Sequence, residues 1–355
     1  MSSEVDSRAL DNTEIKDFME GGNLYSFVKL VKEHEELELC FRGNGRPKYI
    51  SIYYNKLQAF KVDLEGVVEI SYRTARYWKD CKREYKELVN AGFRRCKTHI
   101  GKPEEESFET FVDKKTLSLY NKIDNVIDKF KSIEELYVNI VRPMLENYAN
   151  NIEQYDYFKE GPGTSHPRCE FKAQHKLFDE LRETKSGYFL YDLEFHQKGD
   201  GNANEPDMLG LKFDNDGKPE KLVFVEVKST KSALKDTGNN KKGSGLKGHI
   251  EKTIEYIKDE RLINNRKDEA YSIMRNYATL NLRGLNERTS FDEHNFKKLD
   301  LETLFVFTDE AKKKLENGSE FDWFKNAENK VELNTKDMEC LAYGFNKEQL
   351  SGLIK

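Results

Sequence analysis

Apolar and polar positions fall into the clearest order in the second half of the chain. CEFKAQHKLFDELRE (169–183) has helical spacing, with Phe171, Phe178 and Leu181 as its apolar anchors, and GYFLYDLEFHQ (187–197) is strand-like. DMLGLKF (207–213) and KLVFVEVKS (221–229) read as two strands joined through Asp-Asn-Asp-Gly, a strong hairpin signal. GHIEKTIEYIKD (248–259) places Ile250, Ile254 and Ile257 at helical spacing, and LETLFVFTD (301–309) reads as another buried strand. The predicted order is helix, three strands, helix, strand.

The first half is less regular. Residues 24–70 read as short strands and turns: ELELCF, the turn RGNGRPK, then YISIYY and LQAFKVD. A helix from about Thr74 to Ala91 follows, closed by Gly92. Trp78, Cys81, Tyr85 and Leu88 share one side of it, and Arg76, Lys79, Lys82, Arg83 and Lys86 the other. Helical spacing returns from Thr116 to about Phe158, interrupted at Pro143. EGPGTSHP (160–167) then reads as a linker. The expected division is an N-terminal α+β accessory or recognition domain over 1–155 and an α/β domain over 156–355.

Composition narrows the class. The 355 residues are 35% charged and 37% apolar, with 22 Phe and 18 Tyr, which suits a folded chain of two domains. No apolar run approaches the ~18 residues of a membrane helix, and the N-terminus has no signal-peptide pattern. Five scattered cysteines, none in a Cys-x-x-Cys pair, fit a reducing, cytoplasmic setting and argue against zinc. A net charge of −5 gives no general attraction to nucleic acid, so local clusters matter. Residues 71–97 hold nine Lys or Arg against three acids. That helix is either a solvated face or a phosphate-binding patch that includes Arg76 and Arg83.

The hairpin carries the chemistry. Folding it about Gly217 sets Asp207 roughly across from Glu226 to Lys228. Glu226 and Lys228 leave one face of their strand, and Val223, Val225 and Val227 leave the other, toward the core. Two carboxylates and an ammonium can thus converge. Such a group suits Mg2+, which takes one or two carboxylates and completes its shell with water and substrate phosphate. The bland alternative is a surface salt bridge between strand neighbours.

Pro206-Asp207, eighteen residues, then Glu226-Val227-Lys228 resembles the PD-(D/E)XK nuclease superfamily. Glu-x-Lys recurs, among other places, at Glu14, Glu84, Glu170, Glu310 and Glu328, but only the copy at 226 ends an apolar strand, and Pro206-Asp207 is the only Pro-Asp. The resemblance implies a restriction-endonuclease-like αβββαβ core. It implies that Asp207 and Glu226 bind Mg2+, with Mn2+ as a substitute, and that Val227 lends its carbonyl. Lys228 would serve the attacking water. Glu170 on the first core helix would join the metal site, with Gln174 one turn on. The family's second helix often carries a Gln or Tyr that positions substrate; here that region offers His249 and Tyr256 and no Gln.

The loop between that strand and the next helix holds Lys231, Lys235, Lys241, Lys242 and Lys247 against Asp236 alone. It reads as a flexible solvated loop or as a basic flap on phosphates beside the metal. Its Gly243-Ser-Gly245-Leu-Lys-Gly248 fits a dinucleotide turn poorly, because the preceding strand ends too early. No Gly-x-Ser-x-Gly elbow or zinc-type His spacing occurs.

The resemblance therefore implies a Mg2+-dependent DNA nuclease, an endonuclease of restriction or anti-phage defence or else of repair, releasing 5′-phosphates, with RNA left open. Cutting both strands with one site per chain would favour a homodimer. The competing expectation is a non-catalytic nucleic-acid-binding or interaction module on the same fold.

Overall fold

The structure, a computed structural model, describes residues 7–43, 48–54, 57–71, 80–95, 97, 107–112, 118–147, 167–182, 187–193, 206–235, 245–336 and 338–354. Of residues 71, 167–172, 175 and 232 only the backbone is described. The chain is a mixed α/β protein of two compact units, Arg8–Gly163 and Thr164–Lys355 together with Met1–Ser7, each with its own sheet. The boundary expected at 155/156 lies outside the described residues. Among the described residues no helix is long and apolar enough to cross a membrane.

In the first unit a 3-10 turn over Glu14–Phe18 precedes α1 (Tyr25–Glu33), which forms where the sequence suggests only short strands. Phe27, Val28 and Leu30 fall on one helical face and are buried, so burial overrides the strand preference of Phe and Val. An antiparallel sheet follows in the order β1 (Leu37–Arg42), β2 (Tyr49–Tyr54), β3 (Leu57–Asp63), β4 (Val67–Ser71), β5 (Ser118–Lys122). Phe27 of α1 meets Phe60 of β3 edge-on at 5.7 Å between centroids.

The helix expected from Thr74 begins, among the described residues, as α2 (Lys82–Asn90). Residues 72–79, with Arg76 and Trp78, lie outside the described residues. Cys81, Tyr85 and Leu88 are buried as the wheel requires. The helix ends in a Schellman turn: Gly92, at φ +91°, lets Phe93 N–H reach Leu88 O at 3.0 Å and its own N–H reach Val89 O at 3.0 Å. A short helix, α3 (Phe108–Val112), packs against α2.

The long helix expected from Thr116 is not one helix. β5 occupies 118–122 because Leu119 and Asn121 pair with Ile70 and Val68 of β4. Then come α4 (Ile123–Phe130) and α5 (Ile133–Leu136), the latter capped by Ser132. The interruption foreseen at Pro143 takes the form of a π turn over Tyr137–Val141, in which Arg142 N–H bonds Tyr137 O. Pro143 has no N–H to offer the turn before it, and the widened turn absorbs the loss.

The second unit contains α6 (Pro167–Glu180), β6 (Tyr188–Leu193), β7 (Met208–Phe213), β8 (Pro219–Lys228), α7 (Leu246–Lys258), α8 (Glu260–Thr279), α9 (Glu293–Lys297) and β9 (Asp300–Phe307). It continues with α10 (Asp309–Asn317), β10 (Lys330–Val331), β11 (Leu341–Phe345) and α11 (Lys347–Gly352). The sheet order is β10-β11-β9-β8-β7-β6, with β8 and β9 parallel and the other pairs antiparallel. The helices between β8 and β9 supply the crossover that a parallel pair needs. The hairpin turns at Gly217, φ +76°, as its sequence predicts.

β8 lies inside the sheet, and every residue from Leu222 to Lys228 is buried. The expectation that only Val223, Val225 and Val227 face a core is therefore too narrow. Phe224, on the Glu226 face, packs edge-on against Tyr256 of α7 at 5.6 Å, and Phe189 of β6 meets Tyr277 of α8 at 6.0 Å. Phe189 shares a rung with Leu211 and Leu222, so α7 and α8 cover the face that carries Glu226. On the opposite face the buried Glu302 accepts from Tyr188 Oη at 2.6 Å and Lys221 Nζ at 2.8 Å.

Candidate active site

β7 and β8 pair as far as Met208↔Val225, so one rung further Asp207 stands opposite Glu226. Directly opposed residues project from the same face, as do residues two apart. Asp207, Glu226 and Lys228 are thus brought to one face, as the hairpin reading expects.

Side-chain contacts fix this arrangement. Asp207 Oδ2 accepts the Val227 backbone N–H at 2.8 Å. In an extended strand the N–H and C=O of one residue leave the same lateral edge, and the next residue's leave the other. Lys228 O accepts Thr308 N–H at 3.0 Å on the β9 side, so the Val227 carbonyl is directed to the Asp207 side. Two oxygens of different type, a carboxylate and a peptide carbonyl, are aimed at one edge of β8.

Glu226 is the centre of charge. Lys228 Nζ donates to its Oε2 at 3.1 Å, and His249 Nδ1, from the first turn of α7, lies 3.1 Å from the same oxygen at an ion-pair distance but off the line a hydrogen bond prefers. Oε1 is buried and has no hydrogen-bond partner among the described residues. Burial alone would push this carboxyl up. The Lys228 ammonium and His249 overcome that and hold it well below the usual carboxylate range.

The expectation of a surface salt bridge is corrected by the burial: Glu226 is 1% exposed and Lys228 2%. The strand end does not surface. Solvent reaches the group at Asp207, which is half-buried, and at His249, whose side chain is 27% exposed. A buried carboxylate oxygen without a partner costs free energy, and native structures leave few of them.

The remaining predicted residues are dispersed. Glu170 lies on α6, but its side chain is outside the described atoms. Gln174, one turn on, is buried, 7% exposed. Lys231 is bonded to Glu310 at 2.6 Å, and Lys247 is exposed in the first turn of α7. Lys241, Lys242 and Arg76 lie outside the described residues. Arg83 is exposed on α2, 3.5 Å from Glu84 and 3.3 Å from Glu87, and Lys82 pairs with Glu109 at 2.5 Å. These carboxylates offset part of that basic face. Tyr256 is held in the core against Phe224. The contact of His249 with Glu226 was not readable from the sequence, because it depends on which face of the sheet α7 covers.

Among the described residues no group of three or more His, Cys, Asp and Glu gathers as a metal cluster. Asp207 and Glu226 lie on opposed rungs of one face and the Val227 carbonyl leaves on the Asp207 side, so these are the oxygens that could serve a hard cation, and Mg2+ needs only one or two protein carboxylates. Oε1, buried and without a hydrogen-bond partner among the described residues, is the feature by which these oxygens could suit such a cation. No family model matches the chain, and neither a curated protein nor a solved structure matches it.

Proposed function

We propose that the second unit is a Mg2+-dependent nuclease of the PD-(D/E)XK type acting on DNA. The observation that carries the reading is Glu226 Oε1, buried and without a hydrogen-bond partner among the described residues, on the rung opposite an Asp207 carboxylate pinned to the Val227 amide at 2.8 Å. The order α6-β6-β7-β8-α7 and then β9, with α8 and α9 inserted, supports the αβββαβ core that the resemblance implies.

Asp207, Glu226 and the Val227 carbonyl would hold the cation. When bound, it would supply the charge that acidifies a water and offsets charge building on the phosphate. The reaction adds water across the P–O3′ bond: the water oxygen joins phosphorus, the bond to O3′ breaks, and a 5′-phosphate and a 3′-hydroxyl are released. Lys228 keeps Glu226 ionised in its buried setting. The α7 side of β8 excludes bulk water from the carboxylate, which strengthens its pull on a cation.

The test is plasmid cleavage by the purified full chain with Mg2+, with and without chelator. Wild type is expected to cut only with the metal, and Asp207→Asn to be inactive. Equal cutting by both proteins would reject the proposal.

The burial of Glu226 and Lys228 specifically favours a second reading, a non-catalytic module in which the pair only closes a strand end. That reading predicts no metal-dependent cleavage and unchanged nucleic-acid binding in Asp207→Asn.

A further inference from the structure

Glu226 is gripped from two elements at once. Lys228 Nζ approaches Oε2 along β8, and His249 Nδ1 approaches it from α7, each at 3.1 Å. We infer that His249 is a positioning residue: with Lys228 it holds Oε2 and so turns Oε1 toward the cation. The inference rests on the cation site proposed above and names a residue that acts through Glu226 rather than on substrate.

The physical need is specific. The terminal torsion of a Glu side chain is broad and nearly two-fold, so an ungripped carboxylate presents either oxygen and swings between them. Lys228 sits on the same strand, two residues away, and its flexible stem can follow the carboxylate as it turns. The His249 ring is stiffer and is carried by a separate, anchored helix. The His249 backbone N–H donates to Gly245 O at 2.9 Å, its backbone carbonyl accepts from Thr253 Oγ1 at 2.9 Å, and α7 is fixed to β8 by the Tyr256–Phe224 contact. A ring held in that way sets the carboxylate plane. The oxygen left over is Oε1, buried and without a hydrogen-bond partner among the described residues.

Mn2+ binding to the full chain, followed by calorimetry or by the spin signal of the free ion, tests this without relying on cleavage. Three variants separate positioning from packing. Asn places its amide nitrogen near the position of Nδ1, Gln places its own near Nε2, and Ala places nothing. His249→Ala and His249→Gln are expected to bind Mn2+ about tenfold more weakly, with His249→Asn back to within about threefold of wild type, as for other residues that orient metal ligands. Melting temperatures of the metal-free variants should not follow this order, whereas a merely structural role would make them the main effect. Equal Mn2+ affinity across the series, or an Asn variant as weak as Ala, overturns the inference. Asp207→Ala and Glu226→Gln serve as references. If they abolish binding while the His249 series is flat, only the role of His249 falls. If wild type binds no Mn2+, or these two variants bind it unchanged, the site falls and takes His249 with it.

Discussion

The Val227 N–H donates to Asp207 Oδ2 at 2.8 Å, which ties the residue just before the start of β7 to the backbone of β8. Asp207 is thereby held where the ladder would otherwise fray. One of its oxygens is satisfied by an amide, and the Val227 carbonyl leaves the strand on the same side.

Asp207→Asn separates that anchoring from charge. An Asn oxygen still accepts from Val227, so the melting temperature should stay within a few degrees of wild type. Metal-dependent cleavage should fall by about a hundredfold or more, since loss of even an outer partner of a metal site costs 10- to 100-fold. Thermal melting and plasmid cleavage on the same preparation check both halves. A folded Asp207→Asn protein that cuts normally sinks the assignment.

Glu226 and Lys228 should behave as a buried pair in stability. Glu226→Gln leaves an ammonium buried without its carboxylate, and breaking such a pair from one side costs about 3 kcal/mol or more. Replacing both, as in Glu226→Leu with Lys228→Met, should recover most of that loss in denaturant titration. The double variant should remain unable to bind Mn2+. Recovered stability together with recovered metal binding would contradict the roles given to these side chains.

Gly210 is a steric requirement of the sheet. A Cβ there would meet Leu190 Cδ2 at 2.7 Å and the Phe189 carbonyl oxygen at 2.8 Å, where β6 is irregular opposite β7. The backbone oxygen cannot rotate away, so Gly210→Ala should cost about 1–3 kcal/mol. Chemical denaturation measures it, and a neutral result would mean that the β6 irregularity shifts freely.

The first unit offers a pH test away from the proposed site. Burial would raise the Glu36 carboxyl, but backbone hydrogen bonding, Tyr137 Oη at 3.0 Å, Arg142 at 3.6 Å and His34 at 3.5 Å bring it below its ordinary value. A depressed carboxylate contributes stability above its unfolded pKa and loses it as pH falls through the folded one. Glu36→Gln should therefore destabilise by about 1 kcal/mol or less at pH 7, given its partial exposure, and by less near pH 3. Melting curves at the two pH values decide it; a larger loss at low pH would reverse the sign.

The hairpin was legible because Asp-Asn-Asp-Gly and two apolar runs act locally, and local signals need no knowledge of the partner element. The same reading could not foresee the burial of Glu226. Period-two alternation reports one covered face, while β8 sits between β7 and β9 with helices over the Glu226 face as well. β5 was hidden for a similar reason: SLYNK becomes a strand by pairing with VVEIS far upstream, and helical spacing just after it masked the boundary. α1 shows the reverse case, an aromatic and β-branched segment turned helical by the surface it must cover.

The parallel pairing of β8 with β9 also dictates an order of events as the chain is made. β6, β7 and β8 can zip into a meander as soon as Lys228 has emerged, but the strand that covers the far edge of β8 starts only at Asp300. Until the three intervening helices have left the ribosome, the apolar run LVFV presents an open row of peptide groups to any neighbouring nascent chain. Its flanking charges, Lys221 and Glu226, then act as gatekeepers against misassociation, before the finished sheet puts them to other use.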